Sequence, residues 1–237
     1  MGAAIMTPNR ALKAMAVMVA LLAMVSGEAA ARDGKTVFAE KCVSCHNATE
    51  PAPATFADVL KRKAPDLFYA GSKFRREWLV RWLQSPTTIR PSGVMFLNHL
   101  ATEDGKDRIR RETVGLCPSK LNAEEAEAAA DYLMSLKDPA MRTGVVSRDK
   151  KFSTSRALQL FTKQYPCVGC HAVKIRDKET GGVSGPPLTD AGERLNPDWV
   201  YARIENPQYW DPKTWMPKIE LSHEKREMLT LFVVSPK

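Results

Sequence analysis

Two five-residue stretches hold the reactive side chains of this chain, Cys42-Val43-Ser44-Cys45-His46 and Cys167-Val168-Gly169-Cys170-His171. Two thiols one turn apart can each add to one vinyl group of a porphyrin. The adjacent imidazole then reaches the iron from the same side, and this is the spacing that attaches a c-type haem. A redox dithiol requires no His after its second Cys. A zinc site would have to draw both pairs together. The chain has five Cys and four His, so two chance copies of the spacing would consume four of the five thiols. The expected cofactors are two haem c groups, bound through Cys42, Cys45, Cys167 and Cys170, with His46 and His171 as iron ligands.

The motifs sit inside a longer repeat. At one constant offset Pro65 falls on Pro186, Leu67 on Leu188, Gly71 on Gly192, Trp78 on Trp199, Pro91 on Pro212 and Met95 on Met216. Turn-makers, a large aromatic and a methionine recur at fixed places, which is the signature of a duplicated unit. Each copy reads as a helix before the motif (Lys35–Lys41; Ser155–Lys163), a loop, and a Trp-bearing helix (Lys73–Gln84; Pro197–Glu205). A Pro-containing segment then delivers the Met, and a closing helix follows (Ala123–Leu136; His223–Val234). Asn122 with Glu125 forms a capping box, Ser222 an N-cap, and Pro197 suits a first helical turn. The first copy carries extra residues at about 96–120. Short helices, Pro-rich loops and little strand alternation give an all-α fold class.

Arg10 and Lys13, the apolar run Ala14–Val25 and the small residues Ala29-Ala30-Ala31 have the layout of a secretory signal peptide. Residues 1–31 are assigned to it. After its removal no stretch is apolar enough to span a membrane. Export fits haem attachment, which in bacteria takes place outside the cytoplasmic membrane, so the expected location is periplasmic. The formal net charge is +8, which points to acidic partners. Basic and acidic residues are interleaved and the compartment is wrong for nucleic acid, so none is expected.

With these motifs in view, the sequence resembles class I c-type cytochromes, in the arrangement of two tandem fused domains, each a few helices wrapped around a covalently bound haem. Gly185-Pro186-Pro187-Leu188 is similar to the family's Gly-Pro-x-Leu loop, and Trp215-Met216-Pro217 to its Met-Pro segment. The first copy departs, with Ala64-Pro65-Asp66-Leu67 and Met95-Phe96. The boundaries are 32–138 for the first domain with its insertion at about 96–120, 139–153 for a linker, and 154–237 for the second domain. The resemblance implies Met95 and Met216 as the second axial ligands, and Pro65 and Pro186 carbonyls as acceptors from His46 and His171. His99 is a rival to Met95. So is Cys117, whose other readings are a semi-buried thiol or an intermolecular partner. Tyr209, Trp210 and Trp215 are expected to keep water from the second haem. The run Lys174–Lys178 reads as a solvated loop or as a basic rim that steers an acidic partner.

The function expected is single-electron transfer between redox proteins, as in a respiratory chain, by a carrier rather than an enzyme. Two alternatives stand beside it: a dihaem oxidoreductase of the thiosulfate dehydrogenase type, and a cytochrome subunit of a larger dehydrogenase or oxidase complex.

Overall fold

Helix starts in this chain are set by side chains that accept the first free N–H groups. Asp33 caps α1 (Gly34–Lys41), and Thr55 caps the short α2 (Phe56–Leu60). Asn122 and Glu125 close a full capping box on α5 (Ala123–Ser135), Ser153 caps α6 (Thr154–Gln159), and Ser222 caps α9 (His223–Val234). Each such cap contributes about 1 kcal/mol. These elements belong to a computed structural model, which describes Gly2 and residues 32–49 and 51–235. The expected signal peptide lies outside the described residues except for Gly2. Residues Arg32–Lys237 form one compact unit, and among the described residues no helix is long and apolar enough to cross a membrane.

The Trp helix expected over Lys73–Gln84 starts three residues later, as α4 (Arg76–Gln84), and Lys73 instead ends a separate turn, α3 (Ala70–Lys73). Phe74 between them is extended, with φ −96° and ψ 159°. It forms an antiparallel bridge to Leu195, which lies between α7 (Ala191–Arg194) and α8 (Pro197–Glu205). Arg75 N donates to Arg194 O at 3.0 Å, and Asn196 N donates to Lys73 O at 2.9 Å. The participants are repeat equivalents, so each copy gives the other the bond it receives, as across an isologous two-fold contact. Pairing across the copies thus outweighs helix continuity at Phe74.

In the first copy α5 packs on α1 and α4, and in the second α9 packs on α8, α6 and α7. Phe38 meets Tyr132 at 5.4 Å, and Phe161 meets Phe232 at 5.4 Å. Gly34 lets α1 touch α5, because a Cβ there would sit 1.9 Å from Ala128 O. Gly71 and Gly192 play matching parts against Met134 O and Val234 O. The helix expected over Ser155–Lys163 ends at Gln159 and continues as a π-turn, Leu160–Gln164. Two more residues separate Phe161 from Cys167 than separate Phe38 from Cys42, and a π-turn absorbs extra residues without leaving the helix axis.

Two small hairpins add strand that the all-α reading lacks. The insertion folds as β1 (Leu100–Glu103) paired with β2 (Lys106–Ile109), and the Lys174–Lys178 run as β3 (Val173–Ile175) paired with β4 (Lys178–Thr180). Segment 139–153 is not a free connector. Asp198 accepts from Gly144, Val145 and Val146 N, and Arg148 donates to Gly192 and Val234 carbonyls at 3.0 Å. One continuous apolar core runs through both copies.

Candidate haem sites

Each Cys-x-x-Cys-His motif begins where its first helix ends. Cys42 N donates to Phe38 O, and His46 N returns to Cys42 O at 2.9 Å. At the second motif His171 N returns to Cys167 O at 3.0 Å. In the first copy this turn brings Cys45 and His46 to the lining of one cleft. His46 Nδ1 lies 2.8 Å from Pro65 O, and His171 Nδ1 lies 2.7 Å from Pro186 O. A carbonyl only accepts, so Nδ1 carries the proton and Nε2 keeps the lone pair for a metal. Burial pushes both imidazoles toward the neutral form, which is the ligating one. Gly185 lets the Pro186 strap pass close by, since a Cβ there would meet His171 Cε1 at 2.6 Å. Among the described residues no group of three or more His, Cys, Asp and Glu is placed to hold a metal ion between them.

The candidates for the second axial position are differently placed. Met95 is 6% exposed, and Met216 is half-buried. His99 is engaged elsewhere: its Nδ1 lies 2.7 Å from Thr113 Oγ1 and its ring covers Gly93. The half-buried Cys117 thiol stands near Cys42. Burial, followed by that neighbour, pushes the Cys42 thiol up to about 11. Of the expected Tyr209–Trp210–Trp215 cluster, Tyr209 and Trp210 meet edge-to-face at 4.9 Å, and Trp215 stands apart. Trp210 is buried, bonds Asp138, stacks with Tyr69 and meets Trp199 at a tilt. Tyr209 and Trp215 are 51% and 56% exposed. Trp215 instead reaches Phe56 and Phe96 of the first copy, so it spans the copies and does not line one site.

Each Met-bearing loop leans on the other copy. Ser92 Oγ donates to Val183 O at 2.5 Å, and Arg90 donates both to Ser184 O and to Val94 O next to Met95. From the other side, Asp211 ion-pairs with Arg62 at 3.5 Å. A basic group thus collects between the motifs: Arg62, Lys73, Arg90, Arg194 and Arg203. Arg62 bonds Asp66. Lys73 lies over the rings of Tyr69, Phe74 and Trp199 at 4.8–5.7 Å, and burial with the nearby Arg203 and Arg194 pushes it down to about 7. Sequence reasoning singled out none of these residues. A signal existed, because Lys73 and Arg194 are basic at equivalent places in the repeat.

These residues fit a porphyrin. A cleft of about 730 Å³ lies against the first motif, lined among others by Phe38, Cys45, His46, Pro51, Arg62 and Tyr132; cofactor sites are of this size. Among the described residues Trp199 Nε1, Arg62 Nε and Arg90 Nε are buried with no acceptor, as is Arg226 Nε on α9. A buried donor left unpaired costs about 1–3 kcal/mol. Porphyrin propionates are acceptors of the right charge for donors so placed.

Residues 31–137 match the family model described as Cytochrome c. A c-type cytochrome domain, with covalently bound haem c and electron transfer as its associated activity, is therefore found in the first copy. No curated protein and no solved structure matches the chain.

Proposed function

We propose that the chain is a periplasmic dihaem cytochrome c that passes single electrons between redox proteins, one partner offering an acidic docking face. The observation that carries the second haem is the repeated proximal geometry: Nδ1 to proline carbonyl at 2.8 Å in one copy and 2.7 Å in the other. When bound, haem supplies a one-electron ferric/ferrous couple. The chain supplies the rest. Cys42, Cys45, Cys167 and Cys170 tether; His46 and His171 ligate, oriented by Pro65 and Pro186; Met95 and Met216 complete the coordination. His99 turns its Nε2 edge onto Gly93, which supports Met95. In the larger-complex reading, the β1–β2 hairpin of the insertion would be the docking element.

Intact mass and haem content of the exported protein test this. Two haem additions are expected, with one lost in Cys42→Ala/Cys45→Ala and the other in Cys167→Ala/Cys170→Ala. A single addition would refute the dihaem reading. Ligand spectra of Met95→Ala, His99→Ala and Cys117→Ala assign the first iron, and only Met95→Ala is expected to change them.

A further inference from the structure

Ferric haem carries one more positive charge than ferrous haem, so a fixed cation nearby favours the reduced form and a fixed carboxylate favours the oxidised one. The two sites differ in what the chain places around them. At the second, three guanidiniums bond the straps that hold its ligands. Arg194 donates to Pro187 O at 2.6 Å, one residue past the carbonyl that orients His171. Arg90 donates to Ser184 O, beside Gly185 and the His171 ring. Arg203 donates to Pro207 O at 2.6 Å and to Thr214 Oγ1 at 3.0 Å, two residues before Met216. Their counter-charges are fewer: Asp190 bonds Arg194 at 3.1 Å from a position open to water, 49% exposed, and Asp211 stands 3.9 Å from Arg203. Among the described residues Arg90 has no carboxylate within 4.0 Å.

At the first site the residue next to Pro65 is Asp66, 4% exposed, and its partner Arg62 is neutralised by it. The equivalent of Arg194 is Lys73, held over aromatic rings. Lys35, Lys61, Lys63 and Asp58 also line the first cleft but are exposed, where water and salt screen them, so the charges held away from water there are Asp66, Arg62 and Lys73, which offset one another. Each haem brings the same propionates, so what separates the sites is what the protein adds.

We propose that Arg90, Arg194 and Arg203 hold the second haem site at a higher reduction potential than the first, so that the half-reduced protein keeps its electron in the second copy. This rests on the dihaem reading above.

Redox titration followed by NMR tests the proposal, with haem methyl resonances assigned to each copy through the thioethers of Cys42/Cys45 or Cys167/Cys170. In wild type the second site is expected to be reduced first. Arg90→Gln is expected to shift the ratio of reduced second to reduced first site about tenfold toward the first, equal to about 59 mV for a one-electron couple. Arg90→Lys is expected to retain most of the wild-type ratio. Asp66→Asn is expected to raise the midpoint of the first site and narrow the gap. The wild-type order needs no variant. Two sites titrating together or in reverse order overturn the inference and leave the dihaem reading standing, whereas one haem per chain overturns both. An Arg90→Gln protein that folds with both midpoints unmoved also overturns it.

Discussion

Replacing Gly185 by Ala tests the proximal geometry most directly. A Cβ at this position would lie 2.6 Å from His171 Cε1, 2.7 Å from Nδ1 and 3.0 Å from Cys170 O, against an ordinary contact of 3.4 Å or more. The ring or the strap must give by about 0.8 Å, the difference between those contacts. The Nδ1–Pro186 O distance of 2.7 Å would then pass the limit of about 3.2 Å for a hydrogen bond. Overpacking costs about 1–3 kcal/mol, and the lost bond adds about 0.5–1.5 kcal/mol. A total of about 1.5–4.5 kcal/mol corresponds to a fall in Tm of about 3–18 °C for a chain of this size. Loss of the bond also weakens the imidazole as a donor to iron, so the second-site potential should rise. Melting followed both by far-ultraviolet circular dichroism and by haem absorbance reads the first effect, and redox titration reads the second. Ala64 occupies the equivalent place in the first copy, so Ala64→Gly is the control, with a change of about 1 kcal/mol or less. A Gly185→Ala protein that melts and titrates like wild type would show that the strap does not press on His171.

Three further outcomes are expected. Gly34→Ala, whose Cβ would meet Ala128 O at 1.9 Å, should force α1 from α5 and lower Tm far more than Gly115→Ala, which meets nothing within 4 Å; equal melting temperatures would contradict the close helix crossing. Asp198→Ala removes the acceptor of three backbone N–H groups, so limited proteolysis should cut faster within 139–153, and unchanged cleavage would mean the segment is held by other contacts. Lys73 sits at about 7, below its ordinary 10.5. The unfolded chain therefore binds more protons than the folded one between those values. Its penalty is full below about pH 7 and fades as pH rises toward 10.5. Urea titrations should accordingly find Lys73→Met more stable than wild type at pH 6 by a margin that shrinks by pH 10; a pH-independent margin would place the ammonium in water.

The sequence made the motifs, the repeat and the helix caps readable because each depends on residues close together along the chain. Asn122 with Glu125 forms its capping box from four consecutive positions. The break at Phe74 was hidden because its cause, Leu195, lies far away in sequence, and periodicity alone favours a continuous helix there. The basic group between the motifs was hidden for a related reason. Arg62, Arg90 and Arg203 look like surface residues in a chain with 35 Lys and Arg, and only the packing of the copies brings them together. Trp215 looked like shielding because it precedes Met216, yet its ring partners, Phe56 and Phe96, belong to the other copy.

The reciprocal bonding at Phe74 and Leu195 bears on ancestry. Partners that trade the same pair of backbone bonds are what two identical protein molecules present when they associate about a dyad. A single-motif forebear carrying this edge would have met its own twin there, and joining the two genes end to end would have made that meeting permanent.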